Sequence, residues 1–239
     1  NSYSGSGTTV NSLVGNITSS GYNSNISHST SDGGYWTFGS NTEGGIEFDS
    51  ITSFMPLGTN DMTYEIWIKT VSGTELAADN FPTLGAFGLT RTLFDGSVRS
   101  TFFHYYFLSP VIGHYLGFRK SSSASGGLEG AFTQSQSFVN SQWNHLVISH
   151  DVSAGIPKYY YNGSEISLSN TLNSSWNAYY NNSNDQYQLN VGTNRSGLSG
   201  SGDKFRGKIS IFRIYKGKAL TSSEVTQNFN AEKARYGYS

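Results

Sequence analysis

The chain has 239 residues, carries a net charge of -1 at pH 7 and contains no cysteine. That balance argues against nucleic acid, whose phosphates need a basic face, and against an anionic membrane surface. The missing thiols exclude disulfides and thiolate zinc sites.

Charged residues make up 13% of the chain, about half the usual share. The surface must therefore be built from Ser, Thr, Asn and Gly. Such a surface without cystine leans toward a bacterial or phage exterior protein. Aromatics reach 15%, so a core short of aliphatics relies on large rings. No apolar run approaches the ~20 residues that span a bilayer. No signal peptide is visible. The chain opens at Asn1 without a methionine, which reads as processing or as a start lying upstream.

Residues 1–45 are rich in Ser, Gly and Asn, yet Val10, Leu13, Ile17, Tyr22, Ile26, Tyr35, Trp36 and Phe38 recur through them. We read 1–34 as an irregular lead with short strands lying on a single domain over 1–239. Tyr64 to Lys69 alternates, with Tyr64, Ile66 and Ile68 on one face. Leu84 to Leu93 is an apolar strand interrupted by glycine. Ser100 to Phe107 is dense in aromatics. Alternation puts Phe103, Tyr105 and Phe107 on one face and Phe102, His104 and Tyr106 on the other. Tyr115 to Arg119 is a short strand, and Trp143 to Ser149 a strong one.

Lys158 to Tyr161 follows, then Asn162-Gly163, a hairpin signal for a type I′ turn. Gln188 to Val191 and Lys208 to Tyr215 complete the strands. Thr221 and Glu224 form a capping box, and Leu220 and Val225 a hydrophobic staple. They predict a C-terminal helix over 221–236, with Val225 and Phe229 on one face and Gly237 as its stop. Many short strands with almost no helical periodicity indicate a sandwich.

Three stretches carry a resemblance. Trp143-Asn144-His145-Leu146-Val147-Ile148-Ser149 precedes Tyr159-Tyr160-Tyr161-Asn162-Gly163. Leu189-Asn190-Val191-Gly192 follows. Phe205-Arg206-Gly207-Lys208-Ile209-Ser210-Ile211-Phe212-Arg213-Ile214-Tyr215 then leads to Ala219-Leu220-Thr221 and Glu224-Val225. In order and spacing these resemble the laminin G-like, concanavalin A-like lectin/glucanase superfamily. The resemblance implies an all-β, concanavalin A-like jelly-roll β-sandwich of two antiparallel sheets with a short C-terminal α-helix. It places the final strand across the sheet centre and the helix at an edge or end of the sandwich. The closing variant is also similar to modules of tailed-bacteriophage structural proteins.

Glucanases of that superfamily carry Glu-x-Asp-x-x-Glu on one strand, because retention needs two carboxyls ~5 Å apart. Here Glu47 and Asp49 are present, but Thr52 stands at the second glutamate. No rival constellation exists. His145 and His150 fall on opposite faces of a strand, and no metal motif, nucleophile elbow or P-loop occurs. The expectation is a chain that is not an enzyme.

The resemblance also implies a structural calcium, held by an Asp on the closing strand and backbone carbonyls of the N-terminal segment. The matching position is Ser210, a weak ligand for a hard dication. No cofactor or metal is expected, with calcium the one ion the resemblance leaves open.

For ligands, a loop bearing Trp176, Tyr179, Tyr180, Asn181, Asn182 and Asp185 has the composition of a sugar site, or packs onto the sandwich. Phe102, Tyr105, Tyr106 and Tyr160 are candidate contacts with a covering segment or subunit. The expected role is a virion-exterior structural or adhesion module (head decoration, fibre or tail) with weak glycan binding. The alternative is a carbohydrate-binding lectin domain of a bacterial secreted or cell-surface protein. Expected partners are other virion or surface subunits and cell-surface glycans, with no nucleic acid and no membrane insertion. The expected location is the virion surface or the extracellular space, as an oligomer or docked on a larger assembly.

Overall fold

A computed structural model describes residues 9–11, 18–19, 21–22, 26–39, 45–48, 61–70, 83–92, 98–107, 114–120, 129–133, 141–154, 157–167, 170–172, 186–192, 205 and 207–239. They form two antiparallel sheets packed as a β-sandwich, with one α-helix near the end.

The seven-stranded sheet contains β2 (Ile26–Ser29), β3 (Tyr35–Phe38), β5 (Met62–Thr70), β10 (Trp143–His150), β11 (Lys158–Tyr161), β12 (Ser164–Ile166) and β15 (Gly207–Lys216). Its order is β12-β11-β10-β5-β15-β3-β2. The eight-stranded sheet contains β1 (Gly21–Tyr22), β4 (Ile46–Phe48), β6 (Thr83–Thr92), β7 (Val98–Phe107), β8 (His114–Lys120), β9 (Glu129–Thr133), β13 (Asn170–Leu172) and β14 (Gln186–Val191). Its order is β1-β4-β14-β6-β7-β8-β9-β13. The closing strand β15 lies beside the central β5. The lead contributes β1 and β2 as short strands on the sheets.

Alternation sorts β5 into two buried faces. Tyr64, Ile66 and Ile68 face the sandwich core together with Leu146, Ile148 and Tyr159. Glu65 and Trp67 take the opposite face and are also fully buried. What covers them is the chain's own end. Helix α1 (Ser222–Glu232), a 3-10 turn (Lys233–Tyr236) and Tyr238 lie over that outer face. The helix therefore sits on a face of the sandwich, not at its edge or end as expected. The reason is local: Trp67, Trp143, Val147 and Tyr160 share that face, and four apolar residues of this size need a cover.

The helix starts where the sequence places its cap. The Thr221 hydroxyl accepts from the Glu224 amide at 3.3 Å, and the Thr221 amide donates back to the Glu224 carboxylate at 2.9 Å. Leu220 and Val225 pack with Val147 and Tyr160. Phe229 and Tyr236 stack on Trp67 at 5.7 and 4.1 Å between ring centroids. The expected hairpin joins β11 and β12, with Asn162 at φ 48° and Gly163 at φ 80°.

On β15 a bulge sets Ser210 and Ile211 against the single residue Trp67 of β5. Two successive side chains thus reach the helix side: Ile211 joins the Trp67 cluster and Ser210 bonds Tyr236.

Candidate ligand-binding face

The eight-stranded sheet has one face toward the core, fixed by the buried Leu189 and Val191 of β14. Val191 pairs with Phe87, Phe87 with Phe103, Phe103 with Phe118 and Phe118 with Ala131. These partners share the core face. The rows between them belong to the face opposite.

One such row runs Glu47, Asn190, Gly88, Phe102, Arg119, Gly130, Leu172. A second runs Gly85, His104, Gly117, Phe132, Asn170. A third runs Thr83, Tyr106, Tyr115. Glycine positions flank His104 on both sides and Phe102 on one, while Tyr106 lies between Thr83 and Tyr115. Asn190 and Asn170 occupy positions in the first and second of these rows. Glycine within a strand weakens it unless something must approach the backbone closely. Aromatic platforms with convergent polar groups and open backbone between them are what a polyhydroxyl ligand requires.

The expected contact residues separate on this frame. Phe102 and Tyr106 share the face opposite the core, whereas Tyr105 falls on the core side with Phe103. Tyr160 lies on the other sheet, fully buried against Val147, Leu220 and Val225, with its hydroxyl 3.2 Å from that of Ser222. It is covered by a segment of its own chain. Trp176, Tyr179, Tyr180, Asn181, Asn182 and Asp185 lie outside the described residues. Sequence reasoning missed the glycine partners of the aromatics, because they come from strands distant in the chain.

A second polar constellation lies under α1. The Glu65 carboxylate accepts from His145 Nε2 at 3.0 Å, Arg213 Nη1 at 3.0 Å, Tyr215 OH at 2.6 Å and Asn228 Nδ2 at 3.0 Å. Arg213 also pairs with Glu232, which accepts from Trp67 Nε1 at 2.7 Å. Burial alone would raise the Glu65 carboxyl, but the bonds from His145 and Tyr215 and the charge of Arg213 hold it below the usual range. Burial and the adjacent carboxylate push the Tyr215 phenol up to about 12. Glu65 and His145 are both inaccessible to solvent. The cluster joins three strands and the helix.

Ser210 stands where the resemblance implies a calcium ligand. Its hydroxyl donates to the Gly34 carbonyl at 2.5 Å and accepts from Tyr236 OH at 2.8 Å and Arg235 Nη2 at 3.2 Å. A hydroxyl has one proton and two lone pairs, and all three are committed. No carboxylate joins them, and no group of three metal-ligating side chains occurs among the described residues. The donor set does not fit a hard dication.

Comparison with known proteins supports this architecture. A model for the concanavalin A-like lectin/glucanases superfamily matches residues 40–226. No curated protein matches the chain in sequence. Among solved structures, the chain resembles a Trypanosoma rangeli sialidase in complex with a difluorinated KDN: TM-score 0.63, 13% identity, 99% of this chain and 33% of that one. The same sialidase in complex with sialic acid gives TM-score 0.62 at 14% identity over 99% and 33%. The botulinum neurotoxin serotype G binding domain gives TM-score 0.59 at 12% identity over 95% and 51%. The chain thus spans about a third of the length of the sialidases it matches.

These likenesses correct one expectation. The chain was expected not to be an enzyme, from Thr52 and the lack of a rival constellation, yet solved structures that align with almost all of this chain are sialidases, of which it spans about a third. The missing glutamate speaks only against the two-carboxylate glucanase reaction, and the general exclusion does not stand. Glu47 lies on β4, while 49–52 fall outside the described residues.

Proposed function

This chain belongs to the concanavalin A-like lectin/glucanases superfamily, and from that premise we propose that it is a carbohydrate-binding module. Its ligand lies on the face of the eight-stranded sheet that carries Phe102, His104 and Tyr106. The observation that carries the reading is that the aromatic positions 102, 106, 115 and 132 share one face, with glycine positions beside Phe102 and Phe132 and with Asn190 and Asn170 in the same rows. A pyranose stacks its C–H face on an aromatic ring, a neighbouring glycine position adds no side chain to block it, and amides satisfy hydroxyls. Arg119 and Glu47 are the only fully charged side-chain types in these rows, so a largely neutral sugar is the ligand class.

The module serves adhesion at the exterior of a virion, as a head decoration, fibre or tail protein. The closing sequence from Phe205 to Val225, the neutral surface and the absent cysteine support that setting. The same face would equally serve a lectin domain of a bacterial secreted or cell-surface protein, which superfamily membership favours. In both settings the location is extracellular and the partners are glycans and neighbouring subunits.

A broad array of neutral and acidic glycans tests the binding. The intact chain is expected to bind weakly, with the signal lost in Phe102→Ala and Tyr106→Ala variants that keep their fold. Trp176→Ala tests the loop in the same assay. A blank array for the intact chain would sink the reading. Antibody labelling of intact particles separates the two settings: labelled virions support the first, and label confined to bacterial surfaces supports the second.

A further inference from the structure

Three stretches far apart in the chain meet at one guanidinium. Arg235 Nε donates to the Asp32 carbonyl, and Nη2 donates to the Gly34 carbonyl at 3.4 Å and to Ser210 Oγ at 3.2 Å. Ser210 reaches this point because of the β15 bulge. Asp32 and Gly34 belong to the turn before β3, where Asp32 (φ 49°), Gly33 (φ 72°) and Gly34 (φ 105°) run in the left-handed region. That run brings the carbonyls of Asp32 and Gly34 to the same guanidinium. Gly33 also leaves the space for it, since a Cβ there would overlap the Arg235 side chain. The Tyr236 ring lies 5.1 Å from the guanidinium carbon and adds a π face.

Three neutral oxygens turned toward one point make a cation site, and here the cation is covalently part of the chain. We infer that Arg235 is the resident cation of this site, tying the turn at 32–34 to the closing strand where the family resemblance implied calcium. The disagreement between Ser210 and a metal ligand set is thereby explained. A carboxylate there would attract an ion, whereas a hydroxyl pairs with a guanidinium that already carries the charge. The C-terminal tail becomes part of the N-terminal turn's support, and the tie needs no metal supply.

Thermal melting of the full chain in calcium and in chelator tests this. The wild type is expected to melt at the same temperature in both. Arg235→Ala is expected to lower the midpoint by about 2–4 °C, and Arg235→Lys, which keeps the charge, by less. The double variant Ser210→Asp with Arg235→Ala vacates the site and supplies a carboxylate, and calcium is expected to raise its midpoint. A calcium-dependent rise in the wild type that Ser210→Ala removes would overturn the inference. So would equal losses in the alanine and lysine variants, or a double variant indifferent to calcium.

Discussion

The Glu65 carboxylate and the His145 imidazole meet at 3.0 Å with neither side chain exposed. A carboxylate only accepts, so His145 Nε2 carries the proton and donates. Arg213, Tyr215 and Asn228 donate to the same group. Removing one member of such a buried cluster strands the others, at a cost of about 3–5 kcal/mol. Glu65→Ala is expected to lose that much in urea denaturation. Arg213→Ala should lose less, because its side chain is 38% exposed and water screens it. A loss below about 1 kcal/mol for Glu65→Ala would mean that water enters beneath the helix.

The same carboxylate predicts an acid response. Glu65 is held below its ordinary value of 4.5 in the folded chain. A depressed folded value means stability that is present above the unfolded pKa and lost as pH falls through the folded one. Glu224 acts in the same direction, lowered to about 2 by Lys218 and the Thr221 cap. Melting temperature is therefore expected to fall as pH drops below about 4.5. Glu65→Gln should start lower at neutral pH and show a shallower acid slope. Parallel slopes in the two proteins would assign the acid loss to other carboxylates.

Much of this fold was legible because its signals are local. The strand at Trp143, the Asn162-Gly163 hairpin and the Thr221 capping box each need only neighbouring residues, and each stands where the sequence puts it. Glu65 was not legible. In sequence it is the polar member of an alternating strand, and its burial follows from the register of β5 with β10 and β15. The capping box fixes where α1 begins but says nothing of the surface it covers. On the candidate face, alternation separated Phe102 and Tyr106 from Phe103. The glycine beside Phe102 comes from another strand, and pairing that distant leaves no local mark. Weak strands such as Glu129–Thr133 and Ser164–Ile166 form because stronger neighbours template them.

Trp67 supplies the next test. Its ring is sandwiched among Tyr236, Phe229 and His145, at centroid distances of 4.1, 5.7 and 4.9 Å. Every one of the covering rings except His145 belongs to residues beyond Thr221. A chain ending at Leu220 would uncover Trp67, Trp143, Val147 and Tyr160 together. It is expected to show red-shifted tryptophan emission, to bind a hydrophobic dye and to lose solubility. Unchanged emission would show that something other than the helix shields this face.

Two glycines in the same backbone region separate strain from packing. Gly163 (φ 80°) closes the hairpin, and a Cβ there would lie 2.9 Å from the Phe229 ring. Gly217 (φ 74°) turns the chain toward the helix, and a Cβ there meets nothing within 4 Å. Alanine at either position carries the left-handed backbone penalty of about 1–2 kcal/mol. Only at Gly163 must it also displace a ring that stacks on Trp67. Asn162 cannot shift to make room, since its side chain accepts from the His145 amide at 2.9 Å and donates to Tyr238 OH at 3.2 Å. Gly163→Ala is therefore expected to cost more than Gly217→Ala, by about 1–3 kcal/mol for the overpacking, in paired denaturation curves. Equal costs would mean that Phe229 moves aside freely, and the helix would then rest less tightly on the hairpin than its ring contacts imply.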